Sequence, residues 1–196
     1  MTADRETLRV YDTKAAEYAR LVADTQNAQL AVFMEALPPG GHVLDLGCGP
    51  GNSAAAMAKA GFTVEATDAS KEMIALASRH PGVTARLARF DEISGTDIYD
   101  GIWANFSLLH AERTEMPGHL AALRKALRPG GVFHLGMKTG DGAQRDGIGR
   151  FYTFYSVEAL YDLLRSAGFS PVHQETGVEK GLAGTMDPWV VILSRG

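Results

Sequence analysis

The hydrophobic positions of this chain follow two different periods, and the changes between them mark its elements. Residues 5–36 carry apolar side chains at helical spacing in two stretches, which predicts a helical region that ends at residues 38–41, Pro-Pro-Gly-Gly. Beyond it, short apolar runs alternate with amphipathic stretches. The apolar runs predict strands at 43–46, 62–67, 83–87, 99–106, 132–136, 172–176 and 189–193. The amphipathic stretches predict helices at about 52–60, 70–79, 117–127 and 156–168.

This alternation of strands and helices predicts the fold class. Parallel neighbouring strands need a crossover connection, usually a helix, and right-handed crossovers place helices on both faces of the sheet. We therefore expect an α/β, Rossmann-like, doubly wound fold with a mostly parallel sheet of seven strands. The last two strands have no helix between them, so the C-terminal strand should run antiparallel.

The length of 196 residues fits a single domain. Residues 1–38 are expected to form a helical cap over the site, and residues 42–196 the Rossmann-like core. Residues 139–150 are polar and rich in glycine, and we expect them to form a loop.

Composition and charge narrow the classes of partner. The chain is 45% hydrophobic and 21% charged, as is ordinary for a soluble globular protein, and its net charge of −4 gives no general attraction for nucleic acid or membrane. It contains neither an apolar run of transmembrane length nor a secretory signal pattern. Cys48 is the single cysteine, which indicates a reducing compartment and predicts a cytoplasmic protein. The six histidines are dispersed, so no metal site is expected. The oligomeric state has no signal in the sequence.

The segment 43–52, VLDLGCGPGN, carries the most chemical information. A strand, a tight glycine loop and a helix start form the arrangement by which α/β sheets hold nucleotide-like ligands. A dinucleotide site, G-x-G-x-x-G, requires its third glycine at position 52, which here is Asn52. The observed pattern, D-x-G-x-G-x-G, resembles motif I of the class I S-adenosylmethionine-dependent methyltransferases.

Three further segments resemble that family in the same order and at similar spacing. Residues 89–92 stand where the family places adenine contacts, and residues 99–110 resemble its fourth strand and the S-L-L-H segment that follows. Residues 126–131 match its L-k-P-G-G turn before the fifth strand. The resemblance covers nearly the whole chain from Val43. It implies S-adenosylmethionine as cofactor, S-adenosylhomocysteine as product, no metal, and a small-molecule methyl acceptor as partner.

The glycines and two acids suit separate parts of this cofactor. Gly47, Gly49 and Gly51 allow the backbone to approach the methionine portion where a Cβ would collide. Asp45 is expected near the ligand's ammonium group, although it can instead cap the loop's own N–H groups. Asp68 has two acceptor oxygens that match the ribose diol, the alternative being a helix N-cap.

The resemblance adds further expected cofactor contacts. Met73 has core packing as its alternative, and Asp91 can be an ordinary exposed loop acid. These added contacts are Cys48, Ala69, Met73, Phe90, Asp91 and Asn105.

Catalysis and acceptor binding have weaker signals. His110 follows the fourth strand, where the donor methyl should point, and is our candidate general base; a structural hydrogen-bonding role is the alternative. Tyr11 and Tyr18 belong to a Y-D-x-x-A-x-x-Y pattern that resembles the first helix of small-molecule methyltransferases. We assign Tyr11 to catalysis and Tyr18 to the acceptor, while core packing explains their spacing equally well.

The segment from Lys138 to Tyr152 resembles an insertion of a subgroup of small bacterial methyltransferases, in which Ala143 replaces the subgroup's acid. Arg145, Arg150 and Tyr152 are candidates for binding an acidic group of the acceptor. Salt bridges to Asp141 or Asp146 within the loop are the alternative.

Three other functions remain open at this stage. A tRNA- or protein-directed methyltransferase is disfavoured by the negative net charge. A nicotinamide-dependent oxidoreductase shares the strand–loop–helix arrangement but leaves Asn52 and Asp45 unexplained. A module that binds the cofactor without catalysis keeps the same glycines and acids.

Overall fold

A computed structural model describes residues 4–22 and 28–196 and follows the predicted alternation of elements. Residues 23–27 of the predicted helical region lie outside the described residues. The strands are β1 His42–Leu46, β2 Thr63–Asp68, β3 Val83–Leu87, β4 Tyr99–Asn105, β5 Leu127–Lys138, β6 Ala143–Arg145, β7 Phe151–Thr153, β8 Ser170–Lys180 and β9 Met186–Arg195. The α-helices are α1 Arg5–Leu21, α2 Ala28–Glu35, α3 Asn52–Lys59, α4 Lys71–Ala77, α5 Met116–Ala126 and α6 Val157–Ser166.

The main sheet has seven strands in the order β3-β2-β1-β4-β5-β9-β8. Strands β1 to β5 pair in parallel, and β9 runs antiparallel to both of its neighbours. The predicted fold class is therefore confirmed. The strand order reverses between β1 and β4, and the crevice at the carboxyl ends of such strands is where open α/β sheets bind ligands.

Helices cover both faces of the sheet. On one face, Leu120 and Leu123 of α5 and Leu160 and Leu164 of α6 belong to the larger buried apolar cluster. On the other face, the second cluster contains side chains from α2, α3 and α4, with Phe33 packed 5.2 Å from the ring of Trp103 on β4. The two cores make the sheet a rigid support for the loops at its carboxyl edge.

Helix α1 differs from the other helices because it contributes little to these cores. Its buried residues are Thr7 and Ala15. The Asp4 side chain caps its first turn by accepting a hydrogen bond from the Thr7 N–H at 2.8 Å. Its remaining attachments to the core are largely polar. Among the described residues, no helix combines the length and the apolar composition needed to cross a bilayer.

Residues 139–150 correct one prediction, because part of this stretch is not a loop. Strand β6 pairs antiparallel with β7 in a two-stranded sheet, with Arg145 opposite Phe151. All three β6 residues are exposed, so the strand has no alternation of apolar and polar positions that sequence patterning could detect. Strands β8 and β9 are also longer than predicted, since they continue as a hairpin beyond the apolar runs.

Candidate functional site

A cavity of about 580 Å³ opens at the carboxyl ends of β1, β2 and β4. Helix α1, the glycine loop after β1 and the segment after β4 form its walls. The predicted site residues that line it are Tyr11, Tyr18, Asp45, Gly47, Cys48, Gly49, Asp68, Ala69, Met73, Phe90, Asp91, Asn105 and His110. Gly51, Arg145, Arg150 and Tyr152 do not line it.

The glycine loop is shaped by two close approaches. Gly47 has φ +70°, and a Cβ placed on it would lie 2.3 Å from Cβ of Ser107. Gly51 has φ +87° and N-caps α3, where an added Cβ would lie 2.9 Å from the backbone of Ala77 in α4. Gly47 therefore lets the loop pass the residue after β4, whereas Gly51 allows two helices to pack closely.

Asp45 carries a buried carboxylate whose hydrogen bonding is incomplete. It is 3% exposed, and among the described residues its Oδ2 has no hydrogen-bond partner. Burial raises the pKa of Asp45 to about 7, the N–H of Ala54 lowers it and the nearby Asp68 raises it further. Asp45 lines the cavity, and an acceptor oxygen without a partner there fits a cationic ligand group, which would complete its hydrogen bonding and favour its ionised form. The orphaned oxygen and the Cβ-free loop thus suit an amino-acid-like ligand end.

Asp68 joins the glycine loop to the start of α4. Its Oδ2 accepts from the N–H of Gly49 at 2.9 Å, and its Oδ1 accepts from the N–H of Ser70 at 2.8 Å. The N-cap of α4 is Ser70, which accepts from the N–H of Met73, so the alternative of Asp68 as the helix N-cap is wrong. Burial raises the pKa of Asp68, while those backbone N–H groups oppose the change. Each oxygen keeps acceptor capacity for hydroxyl groups of a ligand.

Asn105 is held at the end of β4 by a residue of the neighbouring strand. Its Oδ1 accepts from Nε2 of His134 at 3.0 Å, and the His134 ring stacks on Trp103 at 3.7 Å. A Cβ on Gly136 would lie 2.7 Å from that Oδ1. The arrangement turns the amide nitrogen of Asn105 away from His134 as a donor.

Tyr11 of α1 and His110 of the segment after β4 meet in the wall of the cavity. The Tyr11 oxygen lies 2.8 Å from Nε2 of His110, and Nδ1 of His110 lies 2.6 Å from the carbonyl oxygen of Phe151. Burial lowers the pKa of His110 to about 4; the bond to Phe151 raises it, and the charges of Arg150 and Lys138 lower it further. His110 is therefore neutral at physiological pH and a weak base.

The two arginines predicted to bind the acceptor form salt bridges with acidic side chains of the protein itself. Arg150 is 3% exposed and its guanidinium donates to Asp146 at 2.8 and 2.9 Å, as the salt-bridge alternative predicted. Arg145 pairs with Asp4 at 2.7 Å and Glu6 at 3.3 Å, on and beside α1 rather than within the loop. Arg150 also donates to Tyr11 at 3.2 Å, and the Tyr152 ring lies 4.7 Å from that of His110. Arg150 and Tyr152 thus lie behind the lining side chains.

Polar contacts that sequence reasoning missed attach α1 to the rim of the cavity. Thr7 Oγ1 accepts from the N–H of Phe151 at 2.8 Å, and Ser70 Oγ donates to Asp12 at 2.6 Å. Cavity-lining residues without a predicted role include Ser107, Glu112, Glu115, His119 and Phe151. Asp12, Ser107 and Phe151 stood inside motifs, whereas Glu112, Glu115 and His119 gave no local signal. Within the described part of the chain, no group of three or more His, Cys, Asp or Glu side chains is arranged to hold a metal ion.

Comparison with known proteins agrees with this geometry. A family model for the methyltransferase domain matches residues 43–131. Trans-aconitate 2-methyltransferase of Delftia acidovorans is 37% identical over 102 residues, covering 49% of this chain and 37% of that protein. Cypemycin N-terminal methyltransferase of a Streptomyces species is 33% identical over 135 residues, covering 64% of this chain and 55% of that protein. The matched segments thus span well under two thirds of the length of these relatives.

A solved structure extends the likeness to the full chain. The 1,6-didemethyltoxoflavin-N1-methyltransferase of Burkholderia thailandensis, whose structure holds 1,6-didemethyltoxoflavin and S-adenosylhomocysteine, is 26% identical with a TM-score of 0.75. The similarity covers 100% of this chain and 91% of that one. Since the family match begins at β1 and runs through the glycine loop and β4 to the turn inside β5, residues 43–131 form a methyltransferase domain of the class I, S-adenosylmethionine-dependent kind.

Proposed function

We propose that the protein transfers a methyl group from S-adenosylmethionine to a small-molecule acceptor, leaving S-adenosylhomocysteine. The observation that carries this is the orphaned, buried Oδ2 of Asp45 beside the Cβ-free loop at Gly47. The cofactor, when bound, supplies a methyl group already activated on a sulfonium, so the protein's task is to orient, to exclude water and to accept a proton where needed.

The cofactor-holding residues have distinct roles in this proposal. Asp45 faces the ammonium group, Asp68 accepts from the ribose hydroxyls, and the loop from Gly47 to Gly49 follows the methionine portion. Phe90, Asp91 and Met73 remain the candidates for the adenine end. Cys48 serves as a small buried side chain, since burial raises the pKa of its thiol.

Tyr11 and His110 are assigned to the transfer end of the cavity. Both line it and share a hydrogen bond, so they can orient an acceptor and take part in moving its proton. Helix α1 lines the cavity and, in this proposal, is the described part of the cap predicted at residues 1–38 over the core of residues 42–196. The single cysteine supports a cytoplasmic location.

A small acceptor is favoured over a macromolecule for two reasons. Two relatives are named for trans-aconitate and 1,6-didemethyltoxoflavin. The chain's net charge of −4 also opposes binding to RNA. The relative named for the N-terminus of cypemycin keeps a peptide acceptor as the second candidate, supported by Glu112 and Glu115 in the cavity wall, which suit a cationic amine.

The test measures thermal unfolding with S-adenosylhomocysteine, S-adenosylmethionine and NADH added separately. A ligand at about 100 times its dissociation constant adds about 2.7 kcal/mol, which corresponds to a shift of roughly 5–11 °C for a domain of this size. We expect a shift with both adenosyl compounds and none with NADH. A shift with NADH alone would refute the proposal, and methyl transfer to an acceptor panel then separates an enzyme from a non-catalytic binding module.

A further inference from the structure

The direction of the hydrogen bond between Tyr11 and His110 is determined by the bonds on either side of it. A backbone carbonyl only accepts, so Nδ1 of His110 must donate to Phe151 and therefore carries the ring proton. The ring is neutral, because burial and the cations of Arg150 and Lys138 oppose a second proton. Nε2 of His110 is thus a lone-pair acceptor.

Arg150 determines the other side. A guanidinium has only donors, and its Nη1 lies 3.2 Å from the Tyr11 oxygen, so that oxygen accepts from Arg150. The Tyr11 hydroxyl proton is then directed to Nε2 of His110, 2.8 Å away. Asp146 keeps the guanidinium in place with contacts of 2.8 and 2.9 Å, and Arg150 is 3% exposed.

The Tyr11–His110 pair keeps one hydrogen-bonding position for a ligand. Both ring nitrogens of His110 are used, as are the proton and one lone pair of Tyr11. The second lone pair of the Tyr11 oxygen remains, and Tyr11 lines the cavity. This end of the site therefore offers a hydrogen-bond acceptor and no donor from the pair.

We infer that Arg150 is a positioning residue that holds Tyr11 as a hydrogen-bond acceptor, so that the site selects acceptor molecules presenting an N–H or O–H group there. This inference rests on the proposed function and names the substrate class for it. A carboxylate is excluded at this position because its lone pairs would face that of Tyr11. The two arginines predicted to bind an acidic group are occupied by Asp146 and by Asp4 with Glu6.

The first measurement needs no acceptor molecule. Nitrogen-15 NMR of imidazole-labelled protein reports which ring nitrogen of His110 carries the proton. We expect the Nδ1–H form in the wild type, with the Nε2 signal moving toward that of an unbonded ring nitrogen in Tyr11→Phe and in Arg150→Lys. An Nε2–H form in the wild type would reverse the network and overturn the inference.

The second measurement uses matched fragments with S-adenosylhomocysteine at saturation. Benzimidazole and 1-methylbenzimidazole differ in one N–H, phenol and anisole in one O–H, and benzoate supplies a carboxylate. A methylated fragment or benzoate leaves the Tyr11 oxygen without a donor, and the affinity then lacks the contribution of about one hydrogen bond. We therefore expect the N–H and O–H members to bind about tenfold more tightly than their methylated partners and benzoate.

The variants separate the role of Arg150 from general damage. The preference for N–H and O–H fragments should fall to about twofold or less in Tyr11→Phe and should decrease in Arg150→Lys and Arg150→Met. It should persist in Tyr99→Phe, because the Tyr99 hydroxyl bonds Glu65 at the opposite end of β4. Equal binding within each fragment pair, absence of binding by both benzimidazole and phenol, or an unchanged preference in folded Arg150→Lys would overturn the inference.

The two proposals fail in different ways. A protein that shows no thermal shift with S-adenosylhomocysteine fails the proposed function itself. A protein that shifts normally but has no N–H or O–H preference keeps the proposed function and loses this inference.

Discussion

The phenolic oxygen of Tyr11 lies 2.8 Å from Nε2 of His110, although 99 residues separate them along the chain. The contact joins α1, which contributes little to the hydrophobic cores, to the segment that follows β4. Because Arg150 and Phe151 bond to the same pair, three separate parts of the chain meet at one end of the cavity. The hydrogen bonds of Tyr11 with His110 and Arg150 therefore depend on the position of α1.

Replacing His110 with alanine should reduce turnover about 100-fold, the lower end of the range for acid–base groups, because its low pKa makes it a weak base. Affinity for S-adenosylhomocysteine should change little, since the hydrogen bonds of His110 go to Tyr11 and Phe151 and not to Asp45 or Asp68. Steady-state kinetics with an identified acceptor and calorimetry with the product check both parts. His173→Ala, at an exposed histidine on β8, is the control. Unchanged turnover in His110→Ala would rule out a catalytic role.

Cofactor binding should weaken as the pH falls below 7. Burial raises the pKa of Asp45 in the free protein to about 7, and a ligand ammonium stabilises the ionised form, so binding at pH 6 must release a proton. Affinity should drop about tenfold per pH unit below that pKa. Calorimetry in buffers of different ionisation enthalpy measures the proton release. Asp45→Asn should remove the pH dependence, whereas Asp162→Asn, at an exposed position of α6, should keep it. Equal affinity of the wild type at pH 5.5 and pH 7 would contradict the assignment.

The same carboxylate should destabilise the ligand-free protein at high pH. The folded-state pKa of Asp45 lies above its unfolded value, so its contribution to stability is present at low pH and lost as the pH rises through about 7. Asp45→Asn should therefore raise the free energy of unfolding at pH 8 by roughly 1–3 kcal/mol without ligand. Denaturant unfolding at pH 5 and pH 8 tests this. A variant less stable than the wild type at pH 8 would show that the carboxylate has a partner in solution.

Replacing Gly47 with alanine should disrupt cofactor binding through a specific clash. The added Cβ would lie 2.3 Å from Cβ of Ser107 at a φ of +70°, so the loop must move. We expect affinity for S-adenosylhomocysteine to fall by at least about 100-fold, a cost of about 2.7 kcal/mol. Adding Ser107→Gly should recover part of that loss, because it removes the clash but not the backbone strain. Gly118→Ala in α5, with open space around its Cβ, is the control, and failure of the double variant to recover affinity would leave strain as the whole cause.

Arg145→Gln should leave the KM for the acceptor unchanged within about twofold. Its side chain is 40% exposed and paired with Asp4 and Glu6, and such surface pairs are worth under about 1 kcal/mol. The measurable effect should be a small, salt-sensitive loss of stability, like that of Arg86→Gln, which breaks the surface pair with Glu65. A tenfold rise in KM for Arg145→Gln alone would return Arg145 to the acceptor site.

Local signals in the sequence predicted most of the architecture. The strand Val83–Leu87 has its predicted bounds, and the helices from Asn52 onward begin and end within two residues of theirs. Periodicity and glycine turns act over a few residues, so the chain itself displays them. The predicted strand ends differ from the observed ones where hydrogen bonds rather than apolar side chains extend the pairing, as in the hairpin of β8 and β9.

By itself, the sequence determined the order of strands and helices, the glycine loop and the placement of Asp45 and Asp68 at strand ends. These follow from patterns in which each residue's role depends on its near neighbours. Only the tertiary structure decided the partners of Arg145 and Arg150, the hairpin of β6 and β7, and the meeting of Tyr11 with His110. Charged and aromatic side chains choose among many partners, and the fold selects one by bringing distant segments within hydrogen-bonding distance.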